Sequence, residues 1–292
     1  MKACFRIVLA VGLFMAAGTI ASAQDEHLPE GIPTSPSPSS VVKRYGPQID
    51  QRLQFTKGKK AGAAIAIVVG WGGRLSNGNR SVPWLSSLLF DKGLAVVAIR
   101  YRDPARFGAG SAAVDVALAI SFLREHADQL HIDGNRIAIL GSGPDAAWAA
   151  LLGCNPEIFT QAGVPFSAVR TVALIDGDGI DAPSEVLAAS APRSATLKKM
   201  FGQSPSEQAT NSAVGWVAGE NAPDFFLVSS EFPEFRRKLT QNFGDRLRHN
   251  GTKVEIRFIA GASSVSTLMS VGKKPAKPVI ELIDHVASQL KN

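Results

Sequence analysis

The chain has 292 residues, 45% of them hydrophobic, which is enough for one large α/β domain with a full core. Its 31 Lys and Arg against 25 Asp and Glu give a formal charge of +6. The basic clusters RRK at 236–238 and KKPAK at 273–277 are short, lack interleaved aromatics and read as solvated faces, so no nucleic-acid partner is expected. Of two cysteines, Cys4 lies in an expected export signal and Cys154 is left alone, which excludes an intramolecular disulfide in the mature chain.

In chain order, residues 1–23 place Lys2 and Arg6 ahead of a short apolar run that ends in Ala21-Ser22-Ala23. That is the pattern of a secretory signal, with cleavage expected after Ala23 and a destination in a bacterial periplasm or outside the cell. The apolar run is shorter than the roughly 20 residues that span a bilayer, and no cysteine follows the cleavage site, so no stable membrane anchor is expected. Residues 24–40, rich in Pro and Ser, read as a mobile leader, and 41–292 as a single domain.

Within that domain the runs AAIAIVVGWGG and GLAVVAIRYR predict strands buried on both faces, with a helix over VPWLSSLLFDKG between them. SAAVDVALAISFLREHADQL has helical spacing, HIDGN reads as a turn, RIAIL as a strand and DAAWAALLG as a helix. VRTVALID, DFFLVSS and KVEIRFIAG are further strands. PEFRRKLTQNFGDRLRHNG and PVIELIDHVASQL are further helices. Strands alternating with helices predict an α/β fold with a mostly parallel central sheet covered by helices on both faces.

No cofactor is expected, because GWGGRLSNG has neither the Lys-Ser/Thr of a phosphate-binding loop nor a dinucleotide fingerprint. Asp176, Asp178 and Asp181 lack the later Glu of a calcium loop, so that stretch reads as a turn and no metal is expected. Cys154 reads as a small buried apolar residue. His27, His126, His131, His249 and His285 each read as surface residues, none of them on a loop at the carboxyl end of the sheet.

From about Tyr45 onward the chain resembles the α/β-hydrolase superfamily, in its carboxylesterase, lipase and kynurenine-formamidase-like branch. The resemblance rests on RYGPQIDQRLQF as a lead-in strand and on GWGG in the place of an HGGG oxyanion loop. GLAVVAIRYRDPARF stands as the following strand and loop, and EFRRKLTQNFGDRLRHNGTKVEIRFIAG as the segment before the histidine loop. It implies a serine nucleophile on a tight turn between strand and helix, a histidine base, an orienting acid and backbone donors for the oxyanion.

Each implied position departs from that pattern. In RIAILGSGPDAAWAALLG the nucleophile's place falls on Gly143, the next residue is Pro144, which has no N–H to donate, and Asp145 stands where a second glycine belongs. The oxyanion loop reads Gly70, Trp71, Gly72, Gly73, the base position is Ser264, and Glu231 stands in for the acid. Ser142 is a fallback nucleophile by a slip of one residue. The resemblance therefore implies an exported hydrolase-like protein that is catalytically inactive and binds a small molecule or a protein in the former cleft, with Trp71 and Trp148 as candidates to line it. The alternative is an active carboxylesterase or amidase with an unusual triad.

Overall fold

The computed structural model describes residues 40–70, 81–263 and 275–291, all within one compact unit, Gly31–Asn292. β1 (Ser40–Arg44) and β2 (Arg52–Thr56) precede β3 (Ala63–Val69), α1 (Ser81–Asp91) and β4 (Ala95–Arg100). α2 (Pro104–Phe107), α3 (Ser111–Glu125) and α4 (Ala127–Leu130) lead into β5 (Ile132–Ser142), α5 (Ala146–Cys154) and α6 (Pro156–Gln161). β6 (Val169–Ile175) is followed by α7 (Ala182–Ala188), α8 (Ala191–Phe201) and α9 (Pro205–Thr210). β7 (Asp224–Phe232), α10 (Glu234–His249), β8 (Lys253–Ser263) and α11 (Lys277–Gln289) close the described chain.

The strands form one sheet in the order β1-β2-β4-β3-β5-β6-β7-β8. β2 runs antiparallel to β1 and β4, and every pairing from β4 through β8 is parallel. This is the α/β architecture that the alternation of apolar runs predicts. β3 shows why: successive side chains face opposite sides of a strand, so Ile65, Ile67 and Val69 enter the core under α3 and α5. Ala64, Ala66 and Val68 meet α1 and α11 on the other face. With both faces covered, every residue of β3 is buried, and the run reads as continuous rather than alternating.

Three details differ from the sequence reading. HIDGN is not a separate turn before its strand, because β5 already starts at Ile132, and its first residues pair with Ala63 and Ala64 ahead of a register shift. The helix expected over 111–130 breaks at His126 into α3 and α4. The stretch 155–222, apart from β6, carries four short helices, three of them capped by local signals: Asn155, Asp181 and Ser204 each accept a backbone N–H at a helix start. None of them has an apolar stripe long enough to be seen by periodicity. Among the described residues no helix is long and apolar enough to cross a membrane.

Candidate functional site

β5 ends at Ser142 in extended conformation, and Gly143–Asp145 form a single 3-10 turn that enters α5. Gly143 has φ +56, in the left-handed region that favours glycine. A Cβ on Gly141 would lie 2.6 Å from Ala146 Cα, so glycine there lets the helix fold back onto its own strand. The turn has the tightness of a nucleophile elbow, yet Gly143 carries no side chain and Pro144 no N–H. Ser142 is buried and its strand pairs with Ile175 on β6.

Asp145 is 1% exposed, and its Oδ1 accepts a 2.5 Å hydrogen bond from the Tyr101 hydroxyl just after β4. Burial, then the Asp145 charge, holds that hydroxyl well above the ordinary tyrosine range, so tyrosine is the donor and carboxylate the acceptor. The same carboxylate occupies the space beside Gly70: a Cβ added there would come within 2.1 Å of Asp145 Oδ2. Gly70, at φ +106, is therefore held to glycine by both conformation and neighbour. The Asp145 carboxylate thus fills the space that a side chain at position 70 would need.

Glu231 lies at the carboxyl end of β7, and its Oε2 accepts from the Gly261 amide at 2.7 Å. The acid thus ties β7 to the last turn of β8 where the ladder between them slips register. Trp71, Gly72, Gly73 and Ser264 lie outside the described residues.

Beyond the elbow is a cavity of about 150 Å³ lined by Pro144, Asp178, Gly179, Leu197, Met200 and Phe201, with Arg193 and Thr196 from α8. Trp148 is no part of that lining. It is wholly buried in α5 and stacks on Phe201 at 5.1 Å, so it supports the wall from behind as a core residue and not as a cleft aromatic.

Beside the cavity sits a charged cluster drawn from four segments. Asp178 Oδ1 meets Arg193 Nη2 at 2.7 Å and Arg236 Nη2 at 2.5 Å, while Arg236 Nη1 donates to the Gly177 carbonyl. Glu185 on α7 accepts from the Gly179 amide at 2.7 Å and lies 3.9 Å from Arg193. Burial, and then the Asp178 charge, push the Glu185 carboxyl up to about 7. Arg236, expected on a solvated face with its RRK neighbours, is instead turned inward, its side chain 15% exposed.

The three aspartates of the 176–181 turn have separate tasks. Asp176, at φ +48, accepts from Ser230 N and joins the ends of β6 and β7; Asp178 serves the arginines; Asp181 caps α7. Among the described residues no group of three or more His, Cys, Asp or Glu could hold a metal ion. Cys154 is buried, and burial pushes its thiol up, so it is inert as a nucleophile. His131 and His249 are exposed. His126 and His285 are not free surface residues: His126 stacks on Phe122, and His285 Nε2 meets Asp224 Oδ2 at 2.6 Å with its side chain 12% exposed. Asp224 opens β7, so that pair sits at the opposite end of the sheet from the elbow.

The model of the BD-FAE family matches residues 53–231, from β2 through the elbow to Glu231. The chain belongs to the BD-FAE family. Among solved structures, esterase B from Lactobacillus rhamnosis matches at TM-score 0.67 and 18% identity, covering 91% of this chain and 90% of that one. The butyrate-bound esterase Est2 of the planctomycete Thermogutta terrifontis matches at TM-score 0.67 and 17% identity over 87% of this chain and 95% of its own. EstE1, a carboxylesterase cloned from a metagenomic library, gives 0.66 and 19% over 82% and 85%. These likenesses establish the α/β-hydrolase fold of the esterases for this BD-FAE member. No curated protein sequence matches it.

Proposed function

We propose that this esterase-like protein is exported and no longer hydrolyses esters, and that it binds a small molecule in the cavity beside the elbow. The observation that carries the reading is the turn itself: at φ +56, where an attacking side chain would stand, there is Gly143, followed by a proline. Acyl transfer needs an atom to attack the carbonyl and donors for the charge that develops on its oxygen, and this turn offers neither. Loss of one oxyanion donor alone typically costs about 100- to 1000-fold in turnover. Asp145 adds to the argument, since its buried side chain fills the space beside Gly70 at the start of the oxyanion loop.

The test is hydrolysis of p-nitrophenyl butyrate together with labelling by a fluorophosphonate. The expected result is no turnover above the buffer rate and no covalent adduct. Robust turnover that disappears in Ser142→Ala would overturn the reading and make the chain an active serine esterase.

A further inference from the structure

We propose that the cavity beside Pro144 takes a short-chain carboxylic acid, with the ligand's carboxylate on Arg193. The inference rests on the binding reading above and names the ligand class.

Size and lining come first. An apolar cavity of about 150 Å³ accommodates a molecule of roughly six carbon atoms, and Pro144, Leu197, Met200 and Phe201 offer such a chain apolar walls. The polar groups facing the same space are Asp178, Arg193 and Thr196. A ligand with an apolar chain and one polar end fits that division.

The sign of the polar end follows from the charges. Asp178 already holds two guanidinium groups, so a cationic ligand would add a third cation to one carboxylate. An anion has a partner to take. Arg193 is half exposed, and if it turns toward a ligand, Asp178 keeps Arg236 at 2.5 Å and stays paired. A carboxylate suits a guanidinium in geometry as well as in charge.

Charge balance then involves Glu185. The groups facing it are Asp178 and the Gly179 amide from the β6–α7 turn, Arg236 from α10 and Arg193 from α8. With Glu185 ionised, the two acids and two arginines are neutral together, and a ligand carboxylate adds one negative charge. Glu185 is the group able to cancel it, because its carboxyl already titrates at about 7. Proton uptake and anion binding therefore favour each other. If only the protonated form binds, the competent fraction falls about tenfold from pH 6 to pH 8, and affinity with it.

The experiment is calorimetric titration of the protein with hexanoate at pH 6 and pH 8, in two buffers of different ionisation enthalpy, with hexanamide as the neutral isostere. The expected result is hexanoate binding about tenfold tighter at pH 6, with net proton uptake at pH 8 and little at pH 6, and hexanamide binding independent of pH. Glu185→Gln should flatten the pH dependence. Arg193→Met, with folding checked by circular dichroism, should weaken hexanoate at least tenfold and leave hexanamide unchanged. Absence of hexanoate binding, equal affinity for acid and amide, or a pH-independent affinity would each overturn the inference. Any of these in a protein that also hydrolyses no ester leaves the non-catalytic reading standing, whereas hydrolysis of p-nitrophenyl hexanoate overturns that reading instead.

Discussion

β7 begins at Asp224, whose Oδ2 accepts from both Thr171 Oγ1 and His285 Nε2 at 2.6 Å, and carries Glu231 next to its last residue, at the end of the sheet where β5 turns through Gly143 and Pro144. The first end holds an acid, an imidazole and a hydroxyl, the residue types of a hydrolytic triad. Both partners bond to the same carboxylate oxygen, so the hydroxyl is not relayed through the imidazole, and Glu255 lies 3.6 Å from the other ring nitrogen. That arrangement pins α11 to the sheet. The second end has a tight strand-to-helix turn with Gly143 and Pro144 at its head. Residue type without place makes a structural clamp, and on the proposed reading place without residue type makes a binding site.

The contrast can be broken first at the clamp. Asp224→Ala removes the acceptor shared by Thr171 Oγ1 and His285 Nε2, and about 3 kcal/mol of stability should be lost in urea unfolding. A loss below about 1 kcal/mol would show that the clamp carries little.

At the elbow the expected effects are smaller and steric. Gly70→Ala drives a Cβ toward the Asp145 carboxylate and should cost about 2–3 kcal/mol. In an Asp145→Gly background the same substitution should cost less by at least about 1 kcal/mol, read as coupling in a double-mutant cycle. Additive effects would mean that the two positions do not exchange space. The smallest change is at the turn itself: Gly143→Ser places a side chain at φ +56 and should lower stability by about 1 kcal/mol without creating ester hydrolysis. A thermal midpoint that rises in this variant would place the strained position elsewhere.

The sheet was legible because strands covered on both faces must be continuously apolar, and AAIAIVV and RIAIL are. The elbow was legible for the opposite reason: Gly141 and Gly143 mark backbone that no other residue fits easily. The glycine at 70 and the aspartate at 145 each stood out in the sequence as separate departures. Their relation is a contact across 75 residues, which no spacing rule reaches. The charged cluster was hidden more deeply, because Asp178, Glu185, Arg193 and Arg236 come from a turn and three helices, and each alone resembles an ordinary surface charge. His285 lies within the last helix, where its position alone suggests a surface residue, but at the rim of that helix's buried face it meets a carboxylate presented by the sheet.

All nine residues of α5 are buried, whereas α8 buries only Leu197, Met200 and Phe201. α8 supplies Arg193, Thr196, Leu197, Met200 and Phe201 to the cavity, whereas α5 lines none of it and backs it through Trp148, stacked on Phe201. Amide protons of α5 should exchange with deuterium only through global unfolding, and those of α8 through smaller local openings. Entry to the cavity then belongs to α8: a molecule bound there should slow exchange along 191–201 and leave α5, already at the limit set by the whole fold, much less changed.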